Sequence, residues 1–260
     1  MTTTVAESVQ FGLVELDLLA THAGVGFPYP LRVPSFGRVA EDRDSLLATA
    51  GYTLRERGLA DEHGPTGTAA DLVAALREHR GTVDVVVVRP GGATGAVALP
   101  HRTGVVVCDQ VLDDDLAATV RVRRVPRAAL ADELTALIPD VPAAPTLPIT
   151  LPPGVVGDAL RLVDQDEAAT RQRLRDLVRD QGGDPGVVDQ LAGLLPSITG
   201  RGQLGATRRT DAGTVRAGTD LSWLDGPQGR VRIDQADDGW TSVNALRPAE
   251  LRTAITAAAE

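Results

Sequence analysis

The strongest constraint on this chain is that it repeats itself. TVRVRRVPRAALADELTALI (119–138) and WTSVNALRPAELRTAITAAA (240–259) each run an extended stretch into a proline and then into apolar positions spaced three and four apart. Pro126 and Pro248 lie 122 residues apart, and Leu130, Leu134 and Ile138 answer to Leu251 and Ile255. Proline fits the first turn of a helix, where its missing N–H has no partner to lose. β-Branched stretches bounded by Gly and Pro predict strands over 82–90, 94–100, 104–109 and 119–125. Carried forward by the same offset, they fall near 205–210, 216–221, 226–231 and 241–246. Read on its own, the second half predicts strands at 200–209, 214–224, 230–234 and 240–244, close to each of these. The chain therefore reads as helices, four strands and a helix, twice. Successive strands joined by short turns pair antiparallel. The expected fold class is α+β: a central, mostly antiparallel sheet flanked by helical bundles, in two quasi-symmetric halves.

Leucine spacing predicts the helices. In the first half they cover 13–23 (Leu16, Leu19 and Ala20 on one face), 40–57 (Leu46, Leu47 and Leu54 inward) and 68–80 (Leu72, Val73 and Leu76 inward). Between the first two, GVGFPYPLRVPSFGR carries prolines 28, 30 and 34 and reads as extended chain. In the second half helices are expected over about 153–163, 165–181 and 185–195. Leu174, Leu177 and Val178 face inward in the middle one, and a Glu167–Arg171 pair lies along it. Asp184-Pro185 caps and opens the last. Residues 139–153 hold six prolines and read as an extended crossover. The expected organisation is an N-terminal half, 1–138, this crossover, and a C-terminal half, 154–260, together one compact domain.

The stretch TDLSWLDGPQGRVRI (219–233) reads as a hairpin. Keeping apolar beside apolar sets Trp223 opposite Val231 and Leu221 opposite Ile233, across a five-residue loop from Asp225 to Gly229. Asp225 is then a structural turn residue. The other face would carry Arg216, Arg230 and Arg232, with Arg121 and Arg123 doing likewise in the first half. Such a face is either the solvated side of a one-sided sheet or a polar docking surface, and the residues leave both open.

Chemistry is conspicuous by its absence. The chain has 35 acidic residues, 26 arginines and no lysine, so an acidic protein without a basic run argues against nucleic acid. The lone Cys108 can form no internal disulfide and reads as a small core residue in a reducing compartment. The N-terminus lacks the basic and apolar regions of a signal peptide, and no apolar run reaches membrane-spanning length. GRGQLG (200–205) matches a dinucleotide fingerprint, but a helix and Pro196 precede it and strand chemistry follows. RPGGATG (89–95) reads as a hairpin turn without the lysine of a phosphate loop. His22, His63, His79 and His101 stand at no metal spacing, and His22 suits a helix C-terminus. Asp113 to Asp115 reads as a solvated acidic tip, and DQDE (164–167) as charge at a helix start. No catalytic residue, metal site or cofactor is expected.

Taken together in order, HAGVGFPYPLRVPSFGRVAEDRDSLL with LRERGL (22–59), GRGQLGATRR, and DLSWLDGPQGRVRI followed by DGWTSVNALRP resemble the EspG family, secretion-associated proteins of the ESX (type VII) systems of actinobacteria. The resemblance runs over about 10–258. It implies a cytosolic chaperone that binds the PPE subunit of a PE–PPE heterodimer, covers its apolar tip and keeps it soluble for secretion. It also implies contacts through the sheet, the loop between the second and third strands, and the second-half helices. That loop corresponds here to the short stretch Arg89, Pro90, Gly91, Gly92, Ala93 and Thr94. The expected partner-binding residues are Arg89, Thr94, Arg216, Arg230 and Arg232. The alternative is a small-anion-binding or enzymatic α/β protein using the arginine face.

Overall fold

Thirteen strands and seven α-helices are formed by the residues described in this computed structural model, namely 8–102, 104–113, 115–145, 148–155, 167–194, 198–218 and 220–259. The chain divides into two compact units. The first is Met1–Ile138 with Leu204–Asp220 and Ala254–Glu260; the second is Pro139–Gln203 with Leu221–Thr253.

In the first unit β1 (Ser8–Gly12) leads into α1 (Leu13–Ala23), α2 (Ala40–Glu56), a small hairpin of β2 (Ala60–Asp61) and β3 (Gly64–Pro65), and α3 (Gly67–Glu78). Then come β4 (Gly81–Arg89), β5 (Gly92–His101), β6 (Gly104–Val111), β7 (Thr119–Pro126), a 3₁₀ turn (Arg127–Ala129) and α4 (Leu130–Thr135). The hydrogen-bonded order is β1-β7-β6-β5-β4, followed by the part of β9 (Gly200–Thr210) from Leu204 onward, with β10 (Gly213–Arg216) antiparallel to β9. Neighbours from β1 to β4 are antiparallel.

One face of this sheet, through Phe11, Val97, Leu99, Val106, Cys108, Val120 and Val122, packs on Leu16, Leu19, Leu54, Leu72 and Leu76 of the helices. Each such leucine contributes roughly 1.5–3 kcal/mol of burial. Two carboxylates of α1 hold α2 across this layer. Arg57 donates to Glu15 at 2.7 and 2.8 Å, and Arg43 donates to Asp17 at 2.7 and 3.0 Å. Burial pushes the Asp17 carboxyl upward, but the Arg43 hydrogen bonds, the Phe36 amide and the Arg43 charge outweigh it and hold it below the ordinary aspartate range.

The second unit holds β8 (Ile149–Leu151), α5 (Glu167–Asp180), α6 (Val187–Leu194), the first residues of β9, β11 (Leu221–Gly226), β12 (Gly229–Gln235), β13 (Thr241–Ala245) and the start of α7 (Pro248–Ala258). Its order is β9-β11-β12-β13-β8, antiparallel from β11 to β8. Ile149, Leu151, Leu174, Val178 and Val188 pack with Val231 and Val243.

The expected α+β fold with a large antiparallel sheet is what the chain adopts, and the repeat extends further than the primary sequence suggested. Each half opens with a strand, passes through helices, lays down four successive sheet positions and closes with a helix. In each, the opening strand pairs with the last of the four: β1 with β7, and β8 with β13.

Several local expectations are corrected. The strand expected over 214–224 is two strands, broken at Gly218, whose φ of 71° suits a chain reversal. The proline-rich crossover is not only a spacer. It supplies β8, and Ala143 bridges Arg230 in parallel while Arg230 N donates to Pro142 O at 2.7 Å. Leu46, expected inward, is exposed. The helix expected over 153–163 falls mostly on residues outside the described set, as do residues 164–166, Asp114 and the side chains of Glu167 and Arg171.

Candidate partner-binding surface

The hairpin of β11 and β12 is built differently from its expected register. Asp225 lies opposite Arg230 and Gly226 opposite Gly229, so the loop is only Pro227 and Gln228. Trp223 pairs with Arg232, and Leu224 with Val231. The expected register avoided placing arginine beside tryptophan on one face. The actual one does so because the guanidinium is neutralised in place. Arg230 is 2% exposed and Asp225 3%, and Arg230 Nε and Nη2 donate to the two Asp225 oxygens at 2.6 and 2.9 Å. A further bond runs from Nη2 to Pro139 O at 2.9 Å, and the guanidinium carbon sits 5.4 Å from the Trp223 ring centre. Asp225 is structural, but as a buried ion-pair partner rather than a turn residue. Gly229, at φ 121°, lies where a Cβ would come within 2.6–2.8 Å of the Pro142–Ala144 backbone, so only glycine admits the crossover there.

Arg216 is likewise paired. Its Nη1 donates to Asp84 at 2.7 Å and its Nη2 to Asp220 at 2.9 Å. Asp84 is buried, and that burial raises its carboxyl pKa despite the opposing Arg216 contact. Arg232 donates to Asp234 at 2.5 Å. The three arginines of the expected anion-binding face thus each hold a carboxylate already.

Arg89 and Thr94 sit at the tip of the β4–β5 hairpin. Arg89 faces Gly92 across the two-residue turn Pro90-Gly91, and all four are exposed. Thr94, half-buried, pairs with Val87 on one side and Val111 on the other. Beside it the proline-rich segment after α1 crosses the sheet: Pro30 would lie 2.7 Å from a Cβ at Gly95, and Gln110 clamps the Arg32 backbone with bonds of 2.7 and 3.1 Å. Leu13, Leu31, Val33 and Leu116 line a cleft of about 400 Å³ against this segment. Leu116 is 68% exposed, Tyr29 57% and Val111 55%. These three were not singled out in the sequence. The available signals were an apolar residue stranded in LDDDLAATV and an aromatic held between two prolines.

Among the described residues no cluster of three or more His, Cys, Asp or Glu could hold a metal ion, and no helix is long and apolar enough to cross a membrane. Cys108 is fully buried, and burial pushes its thiol pKa to about 12, so it carries no thiolate at neutral pH. GRGQLG lies within β9, in keeping with its rejection as a nucleotide loop.

Comparison with curated protein sequences returns no match. Among solved structures, the fold is similar to a chain in the structure of the Mycobacterium tuberculosis type VII secretion system chaperone EspG5 in complex with the PE25–PPE41 dimer. The TM-score is 0.67 at 13% identity, covering 97% of this chain and 95% of that one. The family model for EspG matches residues 13–257, nearly the whole length. This chain belongs to the EspG family.

Proposed function

We propose that this chain is a cytosolic secretion chaperone rather than an enzyme, binding a PPE-like subunit of a PE–PPE pair and keeping it soluble for a type VII secretion system. The observation that carries this reading is family membership over residues 13–257. The likeness of fold to a structure containing EspG5 with PE25–PPE41 accords with it. Physically, a chaperone for an apolar tip needs exposed apolar surface on a rigid scaffold, and Leu116, Val111 and Tyr29 offer it beside the β4–β5 hairpin. Arg89 and Thr94 form the polar margin of the proposed contact in the first unit. Arg216 and Arg232 retain enough exposed surface to join a partner's rim, whereas Arg230 is committed inside the second unit. The anionic-ligand alternative is disfavoured by the carboxylate already bound to each of those arginines.

The test is co-expression with a PE–PPE-like pair from the same genome, followed by affinity capture and gel filtration. A co-eluting ternary complex supports the reading. A pair that is soluble alone and never co-elutes removes it.

A further inference from the structure

Five arginines from four chain segments converge on one concavity of the first unit, distinct from the β4–β5 hairpin tip. Arg80 follows α3, Arg102 occupies the β5–β6 turn, Arg127 opens the 3₁₀ turn, and Arg208 and Arg209 lie in β9. They wall a cavity of about 950 Å³ in which Glu78 is the one acidic residue among those described. In a chain with more acids than arginines overall, a wall with this balance runs against composition.

These charges are not cancelled in the way that others are. Arg216, Arg230 and Arg123 each bind a carboxylate at close range. In the cavity wall, Arg209 donates to the Arg77 carbonyl at 2.9 Å and Arg127 to the Arg102 carbonyl at 3.4 Å, contacts that orient a guanidinium without neutralising it. Arg102 approaches Glu78 only to 4.0 Å. Among the described residues no carboxylate pairs with Arg80 or Arg208, and all five side chains are exposed. The floor is firm. The Thr82 and Thr207 hydroxyls meet at 2.7 Å, Arg209 N donates to Arg80 O at 2.7 Å, and a Cβ at Gly81 would lie 2.3 Å from Thr207 O.

The shape of this charge selects its ligand. Among the described residues the wall contains no Phe, Tyr or Trp on which a nucleobase could stack, its one aromatic ring, His101, being buried beside Glu78, and no glycine-rich loop that would wrap one phosphate. Guanidiniums spread around a rim suit several carboxylates repeated along a chain, each taken by a planar fork. We propose that this cavity is a second docking site, which takes an extended acidic segment, a run of Asp and Glu, from a partner protein. It uses none of the residues invoked for the PPE-like contact, so the two readings stand or fall separately.

Fluorescence anisotropy with a fluorescein-labelled octaglutamate peptide tests it on the full chain. Binding is expected at low salt, weakening at least about tenfold in the Arg80→Glu/Arg208→Glu double variant and falling steeply as salt shortens the electrostatic range. The neutral Arg80→Gln/Arg208→Gln variant should lie between, and Arg89→Glu should bind as the parent does. Circular dichroism melts verify that each exposed-site variant is folded. Parent and double variants binding alike, no binding of the peptide by the parent, or stabilisation of the parent against heat by inorganic triphosphate where the peptide fails to bind would each overturn the proposal. The last outcome would make the cavity a phosphate site.

Discussion

Arg230 and Asp225 stand directly opposite each other across a two-residue turn, both buried, with the guanidinium bonded to both carboxylate oxygens. Removing one member strands a charge away from water. Asp225→Ala should therefore cost about 3–5 kcal/mol. Replacing both with apolar residues of similar volume should cost far less, because no charge is left behind. Urea unfolding of the two variants compares these costs, and equal losses would show that the pair acts through shape rather than charge.

Gly202 lies under Trp223, where an added Cβ would meet the indole Cζ2 at 2.1 Å. The ring is buried against strand backbone and has no easy escape. Gly202→Ala should destabilise by about 1–3 kcal/mol through overpacking and shift the tryptophan emission. An unchanged spectrum and midpoint would mean that the ring has room to move.

Asp17 gives stability a pH dependence of definite sign. Its folded-state pKa lies below its unfolded value, so the contribution is present above the ordinary aspartate pKa and is lost as pH falls through the lowered folded value. Asp17→Asn should cost about 1–3 kcal/mol at neutral pH, with the gap to the parent narrowing in acid. Denaturant midpoints across acidic pH check this. A gap that stays constant with pH would assign the loss to packing instead. Asp84 works in the opposite sense: its raised pKa favours the fold most when it is protonated, and that share fades as pH rises.

Cys108 should be inert in the native protein, since its side chain is buried and its thiol stays protonated at neutral pH. A disulfide-exchange reagent is expected to react only at the rate at which the first unit opens, and at once in denaturant. Rapid labelling of the folded chain would contradict the burial.

At the apolar patch, Leu116→Asp and Val111→Asp alter exposed side chains and should leave the melting temperature nearly unchanged. Each should weaken capture of a PPE-like partner by about tenfold or more, as expected when a central apolar contact is lost. Undiminished capture would move the contact elsewhere on the molecule.

The broad plan was legible in the sequence because it rests on period and punctuation. Pro126 and Pro248 marked equivalent corners, and the helices built on Leu16, Leu54, Leu72 and Val178 appear where leucine and valine spacing put them. The β11–β12 register was misread because arginine was assumed to avoid a buried face. The informative clue was charge symmetry: Asp225 and Arg230 stand equally far from Pro227-Gln228, as a cross-strand ion pair should. β1 and β8 escaped notice because edge strands this short owe their form to the neighbour they pair with. The apolar patch and the arginine-walled cavity were out of reach for a related reason. Each joins residues from separate segments that only the folded sheet brings together.

The first unit draws its last pieces, Leu204–Asp220 and Ala254–Glu260, from beyond most of the second unit in sequence. A ribosome must therefore have passed Ala254 before that unit can close, and its early strands wait with an unclosed edge while the second unit is being synthesised. Cutting the gene at the proline-rich junction would not release two self-sufficient modules. Such a chain matures late and as a whole.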